Sequence, residues 1–116
     1  MNIRHLFSQT PVAEITPEDA QAKQKAGAVI VDVREPYEWS EGSIPGAILI
    51  PLGTLSRRLA ELDASQEMIM VCRSGSRSRS AVQILQRAGF SQVENLTGGM
   101  INWMRQRLPV SKKEKK

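Results

Sequence analysis

Residues 68–79 read MIMVCRSGSRSR: an apolar run ends at Cys72, and small, hydroxylated and cationic residues follow at once. The run Met68–Val71 has no polar alternation, which is typical of a strand buried on both faces of a parallel sheet. After the loop, apolar residues recur at helical spacing until Gly89, where a helix is expected to end. The stretch therefore predicts a strand, a tight loop and a helix, with the cysteine at the carboxyl end of the strand.

The alternation of strands and helices continues on both sides of this unit. Before it, the β-branched run 28–33 predicts a central strand, and the sequence TPED at 16–19 has the N-cap hydroxyl, proline and acidic residues of a helix start. After it, residues 90–96 predict a last strand and residues 100–108 a final amphipathic helix. We therefore expect one α/β domain over residues 13–110, with a mostly parallel sheet of about five strands and helices on both faces.

The segments between the main strands predict shorter elements. Residues 13–15 predict a short first strand, and residues 47–50 predict another apolar strand after a turn. Leucines recur at intervals of three and four over residues 52–62, which predicts a helix with its charged residues in water. A proline-led turn at 35–42 predicts a short helix with Tyr37 and Trp39 packed inward.

Length and charge limit the classes of protein that are compatible with this chain. A chain of 116 residues suits one domain, and no apolar run approaches the ~18 residues of a membrane span. The formal charge of +4 lies mostly in residues 111–116, which hold four lysines against one glutamate and predict a disordered basic tail. Residues 1–12 are expected to be irregular, with His5, the only histidine, in a surface or packing role. We expect a cytoplasmic protein that binds neither nucleic acid nor membranes.

Cys72 is the only cysteine, so an internal disulfide, a CxxC pair and a thiolate metal cage are excluded. Arg73, Arg77 and Arg79 follow closely, and cationic, partly exposed surroundings lower the pKa of a thiol. A loop that leads into a helix N-terminus also turns backbone N–H groups towards an anion, with Gly75 giving the bend. We therefore expect a nucleophilic thiolate, stabilised by amides, helix dipole and arginines without a metal or cofactor, and not an inert buried thiol.

Four segments, in order and at these spacings, resemble the rhodanese family of sulfurtransferases from about Ile15 to Val110. They are VDVRE at 31–35, GSIPGA at 42–47, the loop CRSGSRS at 72–78, and GGMINW at 98–103 with LPV at 108–110. The chain departs from the family pattern at two positions. Ser43 stands where the family usually has histidine, which is expected to cost a structural hydrogen bond, and Arg107 stands where it often has glycine.

The resemblance implies a two-step transfer through a persulfide of Cys72, the catalytic nucleophile. The donor is a small anionic sulfur compound such as thiosulfate, or a protein persulfide partner, and the acceptor is cyanide or a thiol. The resemblance assigns substrate binding to the residues of the loop, which are Arg73, Ser74, Gly75, Ser76, Arg77 and Ser78. Asp32 and Arg34, at the end of the neighbouring strand, are expected to form an ion pair that supports the loop.

Two other functions are compatible with a thiolate in an anion loop. A cysteine phosphatase or arsenate reductase needs an arginine after Cys and five further residues, but Ser78 occupies that position and Arg77 comes one residue early. A loop of this length predicts a pocket that is narrower than a phosphoryl group requires. The other alternative is a rhodanese-like module that relays sulfur or binds a partner without turning over free thiosulfate.

Overall fold

The computed structural model describes residues 11–112. Most of the expected irregular segment 1–12, including His5, lies outside these residues, as do residues 113–116 of the expected basic tail. Within residues 11–112, no helix is long and apolar enough to cross a membrane.

Strands and helices alternate along the chain. The elements, in order, are β1 (Ala13–Ile15), α1 (Pro17–Lys25), β2 (Val29–Asp32), α2 (Pro36–Trp39), β3 (Ile48–Leu49), α3 (Leu52–Leu55), a 3-10 turn (Leu59–Glu61), β4 (Met68–Val71), α4 (Ser76–Arg87), β5 (Val93–Leu96) and α5 (Gly99–Arg105). The predicted start of α1 is confirmed in detail, because the Thr16 hydroxyl oxygen accepts a hydrogen bond from the backbone N–H of Asp19 at 3.2 Å. Gly27 follows the helix with a φ of 112°, as the expected end of α1 requires.

The five strands form one parallel sheet in the order β1-β5-β4-β2-β3. β4 therefore lies in the middle, with β2 on one side and β5 on the other. All neighbouring strands are parallel, and crossovers join β2 to β3 and β4 to β5, so the predicted α/β class and five-stranded sheet are confirmed. The carboxyl ends of β2, β4 and β5 meet at one edge of the sheet, where ligands bind in folds of this kind.

Helices cover both faces of the sheet over two apolar clusters. Successive strand residues point to opposite faces, so Met68 and Met70 belong to one cluster whereas Ile69 and Val71 belong to the other. The first cluster packs against α3 and α4 and the second against α1 and α5, with Trp103 only 1% exposed. Asn95 follows Val93 at the two-residue interval of a strand, so its side chain points to the face that α4 covers.

Two expectations about the shorter elements are wrong. Tyr37 does not pack inward: its side chain is 70% exposed, because α2 is only one turn long and buries none of its residues. The helix predicted over residues 52–62 is interrupted after Leu55 and continues only as the 3-10 turn. Gly53, Thr54 and Ser56 have low helix propensity, which accounts for the interruption.

The last described residues pair with the body of the domain. Ser111 forms an antiparallel bridge with the buried Ser43, in which each residue donates its backbone N–H to the other's carbonyl at 2.9 Å. Regular pairing thus extends one residue into the segment that was expected to be a tail. Ser43 is therefore held through its backbone, which does not depend on the side chain at this position.

Candidate active site

Cys72 follows the last residue of β4 and has no solvent-exposed surface. The partly exposed thiol expected from the sequence is therefore not what the fold provides. The reason is topological: β4 is the central strand of the sheet, with neighbours on both sides and helices on both faces. The side chain nevertheless meets polar groups, because the chain turns back over it between residues 72 and 76.

Two donors of the loop reach the sulfur atom of Cys72. The backbone N–H of Gly75 lies 3.1 Å from Sγ, and the hydroxyl Oγ of Ser78 lies 3.3 Å from it. Burial opposes ionisation of the thiol, but hydrogen bonds from the Ser78 hydroxyl and from the backbone of Ser78, Gly75 and Ser74 outweigh it and lower the pKa of Cys72. The backbone N–H donors expected around the sulfur are therefore present, and they stabilise a thiolate.

The three arginines contribute less to this stabilisation than their sequence positions suggest. Arg77 forms a two-point ion pair with Glu38, at 2.7 and 2.8 Å, and Arg79 pairs with Glu14. Arg73 is exposed and has no side-chain partner among residues 11–112. The expected arginine contribution is therefore reduced, since two of the three charges are compensated by carboxylates.

The first turn of α5 determines how the loop backbone is oriented. The carbonyl oxygens of Cys72 and Arg73 accept hydrogen bonds from the backbone N–H groups of Met100, at 2.8 Å, and Ile101, at 3.1 Å. Gly99 makes this approach possible, because a Cβ there would lie less than 3.0 Å from both carbonyl oxygens. With its carbonyls held by α5, the loop is free to turn the N–H of Gly75 towards the sulfur.

Asp32 and Arg34 form the predicted ion pair, and both side chains are buried. Arg34 also donates to the backbone carbonyl oxygens of Glu38, at 3.3 Å, and Gly42, at 2.8 Å. Neither residue hydrogen-bonds the loop. The connection to the loop is indirect and runs through Glu38, whose carboxylate pairs with Arg77 at the start of α4.

The loop residues divide into an inner and an outer set. Gly75 and Ser78 are buried against the sulfur, whereas Arg73, Ser74 and Ser76 are exposed around it. Beside the loop lies a cavity of about 250 Å³, lined by Arg34, Glu41, Gly42, Arg73, Met100, Ile101 and Met104. Within residues 11–112, no group of three or more His, Cys, Asp or Glu side chains is arranged to hold a metal ion.

Sequence reasoning missed several residues that complete the site. Asn95 bonds to the Ser78 hydroxyl at 2.5 Å, Glu14 bonds to Asn95, and Glu38 holds Arg77. Asn95 could have been noticed as a polar residue near the carboxyl end of a buried strand next to β4. Glu14 and Glu38 carried no such signal, because a carboxylate in a solvated segment has no distinguishing pattern.

Comparison with known proteins identifies the family. The chain matches the model of the rhodanese-like domain over residues 16–106. It is 38% identical to the thiosulfate sulfurtransferase GlpE of Stutzerimonas stutzeri, over 81% of this chain and 86% of that protein. It is also 38% identical to a sulfurtransferase of Allochromatium vinosum, over 71% of this chain and 77% of that protein.

A solved structure agrees with this result. The rhodanese-related protein of Thermoplasma volcanium superimposes with a TM-score of 0.82 at 31% identity, covering 87% of this chain and 99% of that one. The chain belongs to the rhodanese-like domain family, as the sequence motifs indicated. Its sulfurtransferase relatives support a sulfur transfer of the rhodanese type.

Proposed function

We propose that this protein transfers a sulfane sulfur from thiosulfate or a persulfide donor to cyanide or a thiol, through a persulfide on Cys72. The observation that carries the proposal is the pair of donors at Sγ, the Gly75 N–H and the Ser78 hydroxyl. They favour an anionic sulfur at this position without a histidine base. A thiol that must stay reduced also suits the cytoplasm, which we propose as the compartment.

In the first step, the Cys72 thiolate attacks the outer sulfur of thiosulfate. A bond forms from Sγ to that sulfur, the sulfur–sulfur bond of the donor breaks, and sulfite leaves with the electron pair. In the second step, cyanide attacks the terminal sulfur of the persulfide, thiocyanate leaves and the Cys72 thiolate is regenerated. This is covalent catalysis with a double-displacement pattern.

The phosphatase alternative loses support at the position of its clamping arginine. Ser78 occupies that position and bonds to Sγ, while the side chain of Arg77 is directed to Glu38. Because Sγ has no exposed surface, a slender sulfur atom also suits the site better than a tetrahedral phosphoryl group. A rhodanese-like relay module remains the alternative, and turnover of free thiosulfate separates the two.

The proposal predicts a sulfur adduct on Cys72. Incubation with thiosulfate should add the mass of one sulfur atom to the intact protein, and cyanide should remove it with release of thiocyanate. Intact-protein mass spectrometry measures the adduct, with Cys72→Ser as the control. An unchanged mass of the wild type, or the same adduct on Cys72→Ser, rejects the persulfide. An adduct formed without turnover indicates relay, and aryl phosphate hydrolysis that is lost in Cys72→Ser indicates a phosphatase.

A second prediction concerns the cation that receives the donor. Arg73 has no side-chain partner among the described residues and borders both the loop and the adjacent cavity, so its charge is available to an anion. Arg73→Ala should raise the KM for thiosulfate by roughly tenfold, as expected for one lost charge-assisted hydrogen bond. It should change the KM for an uncharged alkyl persulfide little. Steady-state kinetics with both donors provide the measurement.

The matched variant for this prediction is Arg77→Ala. Glu38 already compensates the charge of Arg77. Removal of the Arg77 side chain should therefore change the KM for both sulfur donors alike, through a change in the position of α4. An equal rise in the KM for both sulfur donors in Arg73→Ala would exclude Arg73 as the anion contact. A rise in KM confined to thiosulfate in Arg77→Ala would assign the contact to Arg77.

A further inference from the structure

Asn95 lies beneath the loop and is surrounded by acceptors on its amino side. Its side chain is 2% exposed on β5. The amide nitrogen Nδ2 lies 3.2 Å from the carbonyl oxygen of Gly75, and 3.3 and 3.2 Å from the two carboxylate oxygens of Glu14. An NH₂ group with two hydrogens suits these acceptors, so the orientation of the amide is fixed by its surroundings.

This orientation turns the carbonyl oxygen Oδ1 of Asn95 towards Ser78. The distance from Oδ1 to the Ser78 Oγ is 2.5 Å, and the hydroxyl carries the only hydrogen between them. While Cys72 is a thiol, the Ser78 proton therefore points to Asn95. Ser78 presents a lone pair to Sγ at 3.3 Å, which suits a protonated thiol that donates its own hydrogen.

Ionisation of Cys72 reverses the direction in which the Ser78 hydroxyl must point. A thiolate has no proton, so a lone pair of Ser78 facing it is unfavourable, and the hydroxyl must turn its hydrogen towards Sγ. The bond to Asn95 is then lost, and Oδ1 is left buried without that donor. Asn95 and the sulfur thus compete for one hydrogen.

We propose that Asn95 is a positioning residue for sulfur transfer, which holds the Ser78 hydroxyl proton while Cys72 is a thiol and yields it when the sulfur becomes anionic. The inference deepens the proposed function and rests on it for its role in catalysis. Asn95 acts through Ser78 and does not touch the sulfur. Glu14 on β1 completes the arrangement, because its carboxylate keeps the amide from turning over.

Several charged groups surround this network and act on the titration of Cys72 as well. Glu14 is shared with Thr97 and Arg79, and Arg77 lies close enough to interact electrostatically with Cys72. Further charged groups lie on the loop (Arg73), around β2 and α2 (Asp32, Arg34 and Glu38) and beside β5 (Glu94 and Lys23). A single substitution therefore cannot assign the effect to Ser78, and a double-mutant cycle is needed.

The test is a pH titration of the thiolate's ultraviolet absorbance, taken as the difference from Cys72→Ser. Asn95→Leu should lower the midpoint by roughly half to one pH unit, the size expected for one competing hydrogen bond. Ser78→Ala should raise the midpoint, since the donor to the thiolate is removed. In the Ser78→Ala background, Asn95→Leu should produce no further shift.

Asn102→Leu is the matched control, because that amide donates to the Thr97 carbonyl and has no hydrogen bond to Ser78 or Cys72 within residues 11–112. It should leave the midpoint unchanged. If Asn95→Leu does not fold by circular dichroism, the smaller Asn95→Ser takes its place with the same expectations. Equal shifts in both backgrounds, or a raised midpoint in the single variant, overturn the proposal. The titration needs no sulfur transfer, so this inference and the proposed function can fail separately.

Discussion

Arg107 has a backbone conformation that suits another residue. Its φ of 60° is the only positive value among the non-glycine residues between 11 and 112. It follows the C-terminal end of α5, where a left-handed residue ends a helix and glycine is the usual choice. The Cβ of an arginine makes this conformation costly, so the sequence departure noted at this position corresponds to local strain.

Arg107→Gly should therefore stabilise the protein. Relief of the strain, less the extra entropy of glycine in the unfolded chain, should raise the free energy of unfolding by about 0.5–1 kcal/mol. Urea denaturation measures the change. Arg105→Gly, at the last residue of α5, is the matched control and should lower the free energy of unfolding by about 0.5–1 kcal/mol. A loss of stability in Arg107→Gly would show that the arginine side chain outweighs its backbone cost.

At the same scale, the residues that contact the sulfur were predictable where they carry a chemical signature. A lone cysteine after an apolar strand, followed by glycine and serines, is a local pattern, and Gly75 and Ser78 lie at the sulfur as the loop chemistry requires. Charge partners that are distant in sequence were not predictable in this way. Arg77 and Glu38 are 39 residues apart, and only the packing of α2 beside α4 brings them together.

The contact between α2 and α4 connects a weakly anchored helix to one that is packed into the core. α2 is a single turn with no buried residue, and Glu38 is its link to the helix that follows the loop. Hydrogen bonding from Arg77, in excess of the cost of burial, lowers the pKa of Glu38 to about 2. The pair therefore stabilises the folded state only while Glu38 is ionised.

The sign of the resulting pH dependence follows from this lowered pKa. Above the ordinary value of 4.5 the contribution of the pair is complete, and it is lost as the pH falls from there towards 2, because the unfolded chain binds the proton first. Arg77 is 35% exposed, so solvent screening limits the contribution to about 1 kcal/mol. Glu38→Gln should lower the stability at pH 7 by this amount and flatten its decline in acid.

Urea denaturation at neutral pH and at several acidic pH values tests this expectation. Glu61→Gln is the matched control, since Glu61 forms a similar two-point pair with Arg58 on the solvent-exposed 3-10 turn. The dependence of its free energy of unfolding on pH should follow that of the wild type. An equally steep acid decline in Glu38→Gln and in the wild type would assign the dependence to other carboxylates.

The centre of the sheet was predictable because β2 up to Val31 and β4 read as uninterrupted apolar runs. Residues of β2 and β4 alternate between the two apolar clusters, so both faces demand hydrophobic side chains and the pattern is strong. The order of the strands carries no such local signal, since it depends on which crossovers pack best. The end of α3 after Leu55 was missed for a related reason. The spacing of leucines indicates which residues are buried, and this spacing continues beyond Ser56, where the helix has already ended.

The pairing of β1 with β5 has a consequence for how the protein is made. Ala13 lies opposite Glu94, so the first strand of the sheet finds its neighbour only after β5 has left the ribosome. Contacts this distant in sequence slow folding, because the loop must close before they can form. The α5 amides that orient the cysteine loop are synthesised later still. A nascent chain therefore carries its thiol before the loop around it is oriented, and the reactivity of Cys72 should mature only after α5 has been translated.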